Sequence, residues 1–499
     1  KIMSMPYSMV QDPDIMDSYQ RADNACCNDS DGIQGMMRTT VNFFIYMAAA
    51  AVGIIILGSF NIYIMFILIC AAIMNFVIKN NIDKYTKIHV SDVLAMWRRK
   101  HTYMQNTTMD LKAAKEIRLY DMNSFMIKKY SEINKERYEA QKKKERLSFA
   151  ADAGYNVIWA FCQIILYGWI IYSAVNRKIT VGNLTLYLTS MTTLFNGIIR
   201  LLDIANKLFS QSREVEDYRK FIDIEIEEDT SGMAKIEVPE FDEYNFTFRN
   251  VSFKYPKSDN YVLCNLNLTI SSGEKLAVVG LNGAGKSTMI KLLLGLYEPT
   301  QGVILLNGVD IKKYDRTSYY NIFAPVFQEI PIFAFPLIEN VSMNTLDNTD
   351  IKRAEYAVGL SGLSNKADSL KKGIFTELLK VISDDGVELS GGENQKLGLA
   401  RAVYKNAPVI VLDEPTASMD ALAESRFYRN FDKMMGGKTA IYISHRLSAA
   451  RFCSKIALFD NGKLAEYGTH ESLMAAGGMY SDMFKIQAQY YHEEAVLSE

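Results

Sequence analysis

Apolar positions are distributed very unevenly along this chain. Between 41 and 78 almost every residue is apolar, with a break at Gly58, Ser59 and Asn61, and the run is long enough for two membrane-crossing helices of roughly 20 residues each. A second pair of apolar runs covers roughly 150–175 and 181–209, separated by a polar turn through Asn176, Arg177, Lys178, Gly182 and Asn183. The pattern predicts about four spans, at 41–58, 60–78, 150–175 and 181–209. Core helices of a soluble protein are the alternative, and runs of this length disfavour it.

The segment between the two pairs is dense in positive charge, including Lys84, Arg98, Arg99, Lys100, Lys142, Lys143 and Lys144, which places it on the cytoplasmic side. No proline occurs between Pro13 and Pro239, so nothing there forces a backbone break and the membrane helices can run far into the cytoplasm. Residues 1–222 are therefore read as a membrane domain. An acidic, polar stretch with Gly232 and Pro239 follows and reads as a linker over 223–240. Over 241–499 short β-rich runs such as NFTFRNVSFKY and KLAVVG alternate with helical patterns, the signature of an α/β domain with a largely parallel sheet.

Composition changes this picture little. Of the 499 residues, 49% are hydrophobic and 22% charged, and the net charge of −2 lacks the basic field of a nucleic-acid binder. The six cysteines are scattered, without the paired clusters of a zinc site or a disulfide framework. The amino terminus shows no apolar core of a cleaved targeting segment.

The candidate chemistry lies in the second half. The strand KLAVVG runs into Gly280, Leu281, Asn282, Gly283, Ala284, Gly285, Lys286, Ser287 and Thr288 and then an apolar helix, a phosphate-binding loop in its required strand–loop–helix setting. The glycines let backbone N–H groups converge on phosphate oxygens, Lys286 reaches the β- and γ-phosphates, and Ser287 can ligate magnesium. A second apolar strand, PVIVL, ends in Asp413 and Glu414, where ligands of such sheets bind. Asp413 is suited to hold magnesium and Glu414 to polarise an attacking water.

Shortly upstream stands Leu389-Ser390-Gly391-Gly392-Glu393, followed by a helical pattern. This resembles the signature of ATP-binding cassette proteins, and other motifs of that family fall in the expected order. The resemblance implies that Tyr255, in SFKYP, stacks on adenine and that Gln328, in PVFQE, joins magnesium and water to the membrane domain. It further implies that Asp420, in ASMD, acts across a dimer and that His445, in YISHR, contacts the γ-phosphate. Ser390, Gly391, Gly392 and Glu393 would grip the nucleotide held by the opposite subunit, so a lone subunit should be inactive. Pro6-Tyr7-Ser8 and Asp12 through Ala22 look like the first cytoplasmic loop of exporters, and Lys115 through Tyr120 resembles the second.

The expected fold is an exporter-type, all-α membrane bundle followed by an α/β P-loop NTPase domain of cassette type. The resemblance implies ATP-driven export of a small molecule, lipid or peptide by a dimer, with ATP and Mg2+ as cofactors. Its partners would be a second half-transporter and the lipid bilayer, in a bacterial-type plasma membrane with the ATPase domain cytoplasmic. The alternative is a half that gates or senses within a heterodimer. Asp152, Arg200, Asp203 and Lys207 are the charges near predicted membrane helix ends, as site candidates or as snorkelling groups. Exporter halves have six membrane helices, and the two expected before the first cytoplasmic loop are missing, so the chain is expected to be incomplete at its amino terminus. Many family members read Gly-Glu ahead of the signature, where this chain has Ser383-Asp384.

Overall fold

The computed structural model describes residues 1–26, 32–60, 62–109, 113–176, 178–225, 235–415 and 437–497. The chain divides into two compact units, Asp14–Ile224 and a second made of Lys1–Pro13 with Glu225–Glu499.

The helical unit is built from four long helices, α1 (Gly32–Phe60), α2 (Ile62–Met109), α3 (Asn123–Val175) and α4 (Val181–Ile222). At 1.5 Å per residue, the 53-residue α3 is about 80 Å long, far beyond a hydrocarbon layer of about 30 Å. The proline-free sequence permits this continuity. Thr180 caps α4, its hydroxyl accepting from the Asn183 N–H. Helices α1 and α4 pack along each other, as do α2 and α3, and the buried core includes Leu57, Leu166, Ile170, Met191, Leu194 and Phe195. Small residues set the approach of α1 to α4: a Cβ added at Gly53 would lie 2.9 Å from the Leu194 Cβ, and one at Gly197 would lie 3.5 Å from the Ala50 Cβ. Trp159 stacks on Phe195 beside this contact.

By length and apolarity, two helices among the described residues could cross a membrane, Gly32–Ser59 and Asn123–Val175. The expected span at 181–209 falls short of that measure, while the one at 60–78 includes residues outside those described, with Ile69–Ile78 as a shorter apolar stretch within it. In α4 the reason is visible in the sequence, where Thr185, Thr189, Ser190, Thr192 and Thr193 dilute the apolar run. The threonine hydroxyls donate to carbonyls of the preceding turn and so satisfy themselves within the helix.

The second unit holds two sheets. Strands β1 (Phe246–Phe253), β2 (Leu263–Ile270), β4 (Gln301–Leu306) and β5 (Val309–Asp310) form an antiparallel sheet in the order β2-β1-β4-β5. The larger sheet runs β10-β9-β3-β8-β7-β6, from β3 (Lys275–Gly280), β6 (Phe323–Val326), β7 (Val409–Asp413), β8 (Thr439–Ile443), β9 (Lys455–Asp460) and β10 (Lys463–Gly468). All its pairings are parallel except β10 on β9. The fully buried β7 and β8 read VIVL and TAIYI, the continuous apolar runs expected of strands covered on both faces.

Both sheets and the helix Lys286–Leu293 share one core. Phe323 ties the sheets together, its ring 5.6 Å from Phe246 and 5.2 Å from Tyr319. A separate apolar cluster joins the helix Gly391–Lys405 to the helices Leu337–Ser342 and Ile351–Leu360. There the Arg401 guanidinium donates to the backbone and side-chain oxygens of buried Asn340. The segment 1–13 also belongs to this unit: Tyr7 meets the Tyr297 ring edge-on, and Lys257 pairs with Asp12. Replacing Phe323 by Ala should cost about 3–5 kcal/mol, read as a lowered melting temperature of the second unit's transition in the full chain.

Candidate nucleotide site

The site is a consequence of strand order. Lined up as β3, β8, β7 and β6, four parallel strands end on the same edge of the sheet, and each delivers a polar group within a few residues of its carboxyl end. Strand β3 leads to the glycine loop and Lys286, β8 to His445, β7 to Asp413 and Glu414, and β6 to Gln328. These are four distant points in the sequence made neighbours by parallel pairing.

The loop after β3 needs its glycines for specific reasons. Gly280 has φ 144° and a Cβ there would lie 2.2 Å from the Phe459 carbonyl oxygen. Gly285 has φ 98°, and its Cβ would fall 2.7 Å from Leu263. Neither place accepts a side chain. Gly285 caps the helix Lys286–Leu293, whose amino end offers free N–H groups and a positive dipole end to an anion. Lys286 is buried, and its ammonium donates to the Gly280 and Leu281 carbonyls, both at 2.9 Å. That leaves a third N–H for a phosphate. Burial holds the Lys286 amine below its usual range, against the pull of Glu414 and Asp413.

Glu414 occupies a left-handed backbone conformation at φ 51°, and its N–H donates to the Ile443 carbonyl at 3.0 Å. This turn out of β7 carries the carboxylate over the sheet edge. There it accepts from Gln328 Nε2 at 3.0 Å through one oxygen, and its other oxygen meets His445 Nε2. Burial and the charge of Lys286 hold the His445 imidazole below its ordinary value while Glu414 opposes them. Burial, with the charge of Glu414, pushes the Asp413 carboxyl up to about 6, against Lys286 and Lys291.

A cavity of about 640 Å³ brings together Gly280, Asn282, Gly283, Gly285, Lys286, Ser287, Thr288, Gln328, Glu414 and His445. Ala284 is buried behind the loop, and Asp413 is absent from the cavity wall. Tyr255 lines a neighbouring cavity with Pro6, Ser8 and Tyr297, its hydroxyl 3.0 Å from the Thr288 hydroxyl and Lys291 5.6 Å above its ring. Ser390, Gly391, Gly392 and Glu393 do not line this cavity. They start their own helix through a capping box, Ser390 accepting from the Glu393 N–H while the Glu393 carboxylate accepts from the Ser390 N–H. Asp420 lies outside the described residues. The wall also includes Met483 and Gln487 of the helix Met479–Leu497, residues to which only their spacing of four, one turn of a helix, could have drawn attention.

Residues 263–417 match the family model described as ABC transporter. The subtilin transport ATP-binding protein SpaT of Bacillus subtilis is 31% identical over 414 residues, covering 80% of this chain and 65% of that protein. The ATP-dependent lipid A-core flippase of Bordetella avium is 30% identical over 341 residues, covering 68% of this chain and 56% of that protein. The chain thus spans less than two thirds of the length of these two curated relatives. Its fold matches a solved bacterial Atm1-family ABC exporter with ATP bound at a TM-score of 0.77, with 24% identity, over 95% of this chain and 80% of that one. An exporter-type helical region followed by an α/β nucleotide-binding domain is therefore the fold. Lys286→Met should remove about 2 kcal/mol of charge-assisted phosphate bonding and weaken binding about thirtyfold, measured by titration with a fluorescent ATP analogue.

Proposed function

Because this chain belongs to the ABC transporter family, we propose that it is an ATP-driven exporter half, hydrolysing ATP between two nucleotide-binding domains to move a small molecule, lipid or peptide across a bilayer. The observation that carries this reading is the meeting of Lys286, Gln328, Glu414 and His445 around one cavity at the glycine loop. Backbone N–H groups of 283–288 and the third Lys286 donor hold the β- and γ-phosphates. Glu414 is the general base, and Gln328 and His445 fix its two oxygens. Each carboxylate oxygen has a second lone pair, so Glu414 can receive a water proton while these two contacts keep it oriented.

A magnesium ion fits the donor set, which offers oxygens only: the Ser287 hydroxyl, the Gln328 amide oxygen, and the Asp413 carboxylate directly or through water. Among the described residues no group of three or more His, Cys, Asp or Glu could hold a metal by itself, consistent with an ion that takes nucleotide phosphates as further ligands. When bound it would neutralise charge on the β- and γ-phosphates.

Ser390, Gly391, Gly392 and Glu393 present a second helix amino terminus away from the cavity of their own chain. That arrangement supports the need for a second subunit, whose nucleotide these residues would contact. In the helical unit, Phe44, Ile45, Ile55, Ile164 and Ile165 are all more than half exposed. So broad an apolar surface on α1 and α3 suits lipid, where it costs nothing to expose. These points support an integral membrane protein with its ATPase domain in the cytoplasm.

The test is ATP hydrolysis by the chain in lipid vesicles with magnesium, compared with Glu414→Gln. Loss of the base should lower the rate about 100-fold or more while leaving nucleotide binding in place. A variant as active as the parent would overturn the role of Glu414, and a parent that hydrolyses nothing would count against a self-sufficient homodimer.

A further inference from the structure

The His445 loop is fastened from outside the sheet. Gln487 sits on the carboxyl-terminal helix, and its side-chain amide engages the loop backbone at two points: Oε1 accepts from the Leu447 N–H at 2.9 Å, and Nε2 donates to the His445 carbonyl at 2.8 Å. Both halves of the amide are used, one on each side of Arg446. From the same helix, Gln487 and Met483 reach the wall of the nucleotide cavity.

The helix is well placed to hold a fixed position. Its first turn is capped by Glu466 at β10, whose carboxylate accepts from the Met479 and Tyr480 N–H groups at 2.6 and 3.2 Å. Tyr480 is fully buried in a cluster with Leu447, Ala450, Ile456 and Leu458, and its hydroxyl lies 2.8 Å from His470 Nδ1. Gln487 follows Tyr480 by seven residues, two helical turns, and so lies on the same face. The other end of the loop is tied to the sheet: the Ser444 N–H donates to the Val278 carbonyl, and the Ser444 hydroxyl accepts from the Arg446 N–H. The Gln487 amide spans the stretch from His445 to Leu447 and fastens both of its ends.

We infer that Gln487 is a positioning residue for His445, holding the backbone so that the imidazole faces Glu414. This makes the carboxyl-terminal helix a working part of the hydrolytic site. The inference rests on the catalytic reading proposed above. Although Gln487 lines the cavity wall, both ends of its amide are used on the His445 loop, and phosphate affinity is set by the glycine loop and Lys286, so its loss should act on turnover more than on binding.

The experiment uses the full chain in lipid vesicles, with single-turnover hydrolysis of radiolabelled ATP sensitive enough to follow slow variants. Gln487→Met keeps the side-chain length and removes both hydrogen bonds. It should lower kcat about tenfold, the effect of one or two neutral hydrogen bonds, with KM for ATP within about twofold. The exposed neighbour Ile486→Ala should match the parent. In a His445→Ala background, Gln487→Met should cost less than about twofold, because a residue acting through His445 has nothing left to position. An unchanged kcat, a rise in KM with kcat kept, or the same tenfold loss without His445 would each overturn the inference. If Gln487→Met fails to bind nucleotide, Gln487→Glu is measured the same way, since it keeps the acceptor for Leu447 and loses the donor for His445. A parent that hydrolyses ATP while Gln487→Met equals it sinks this inference alone; a parent indistinguishable from Glu414→Gln sinks the catalytic reading and this inference with it.

Discussion

The parallel pairing of β3, β8, β7 and β6 is the constraint on which the candidate nucleotide site depends. Register places Asp413 opposite Ile443, so Glu414 and His445, one and two residues further on, leave the sheet side by side. A slip of one residue in that pairing would turn β7 over and send alternate side chains to the other face. The continuous apolar character of β7 and β8 supplies the burial that holds the strands together, while the pairing supplies the geometry. The carboxylate's two contacts, to Gln328 and to His445, follow from that order.

Electrostatics at this edge are unbalanced by design of the fold. Two adjacent carboxylates, Asp413 and Glu414, stand near one buried ammonium, Lys286, whose hydrogens are partly spent on the Gly280 and Leu281 carbonyls. Burial raises the Asp413 carboxyl and lowers the Lys286 amine, each shift being the resistance of a group to carrying charge away from water. A nucleotide phosphate beside Lys286 and a cation beside Asp413 would both relieve that cost.

The helical unit obeys a different logic. Its long helices are permitted by the absence of proline and are brought close by small residues, with Gly53 against Leu194 and Gly197 against Ala50. Hydroxyl groups in α4 satisfy themselves on the preceding turn, so a run too polar to score as a span still forms a continuous helix. Hydropathy measures the cost of leaving water; backbone hydrogen bonding decides whether the helix exists, and the two need not agree.

Much was legible in the sequence because the relevant physics is local. The glycine loop announces itself, since φ values of 98° and 144° and contacts under 3 Å demand glycine at Gly285 and Gly280. Apolar runs mark β3, β7 and the long helices, and Ser390 with Glu393 three residues later spells its capping box directly. What the sequence could not show is which of these local pieces meet. That Ser390 stays outside its own chain's cavity, that Tyr255 turns toward Tyr297, and that residues 1–13 group with a domain more than 200 residues later all follow from long-range packing. Gln487 is the sharpest case: nothing near it in the chain marks it, and its two bonds to the His445 loop exist only because the capped carboxyl-terminal helix lies across the end of β8. Residue type and spacing determined the elements and the chemistry they carry; the strand order and the packing of that last helix decided which groups face one another.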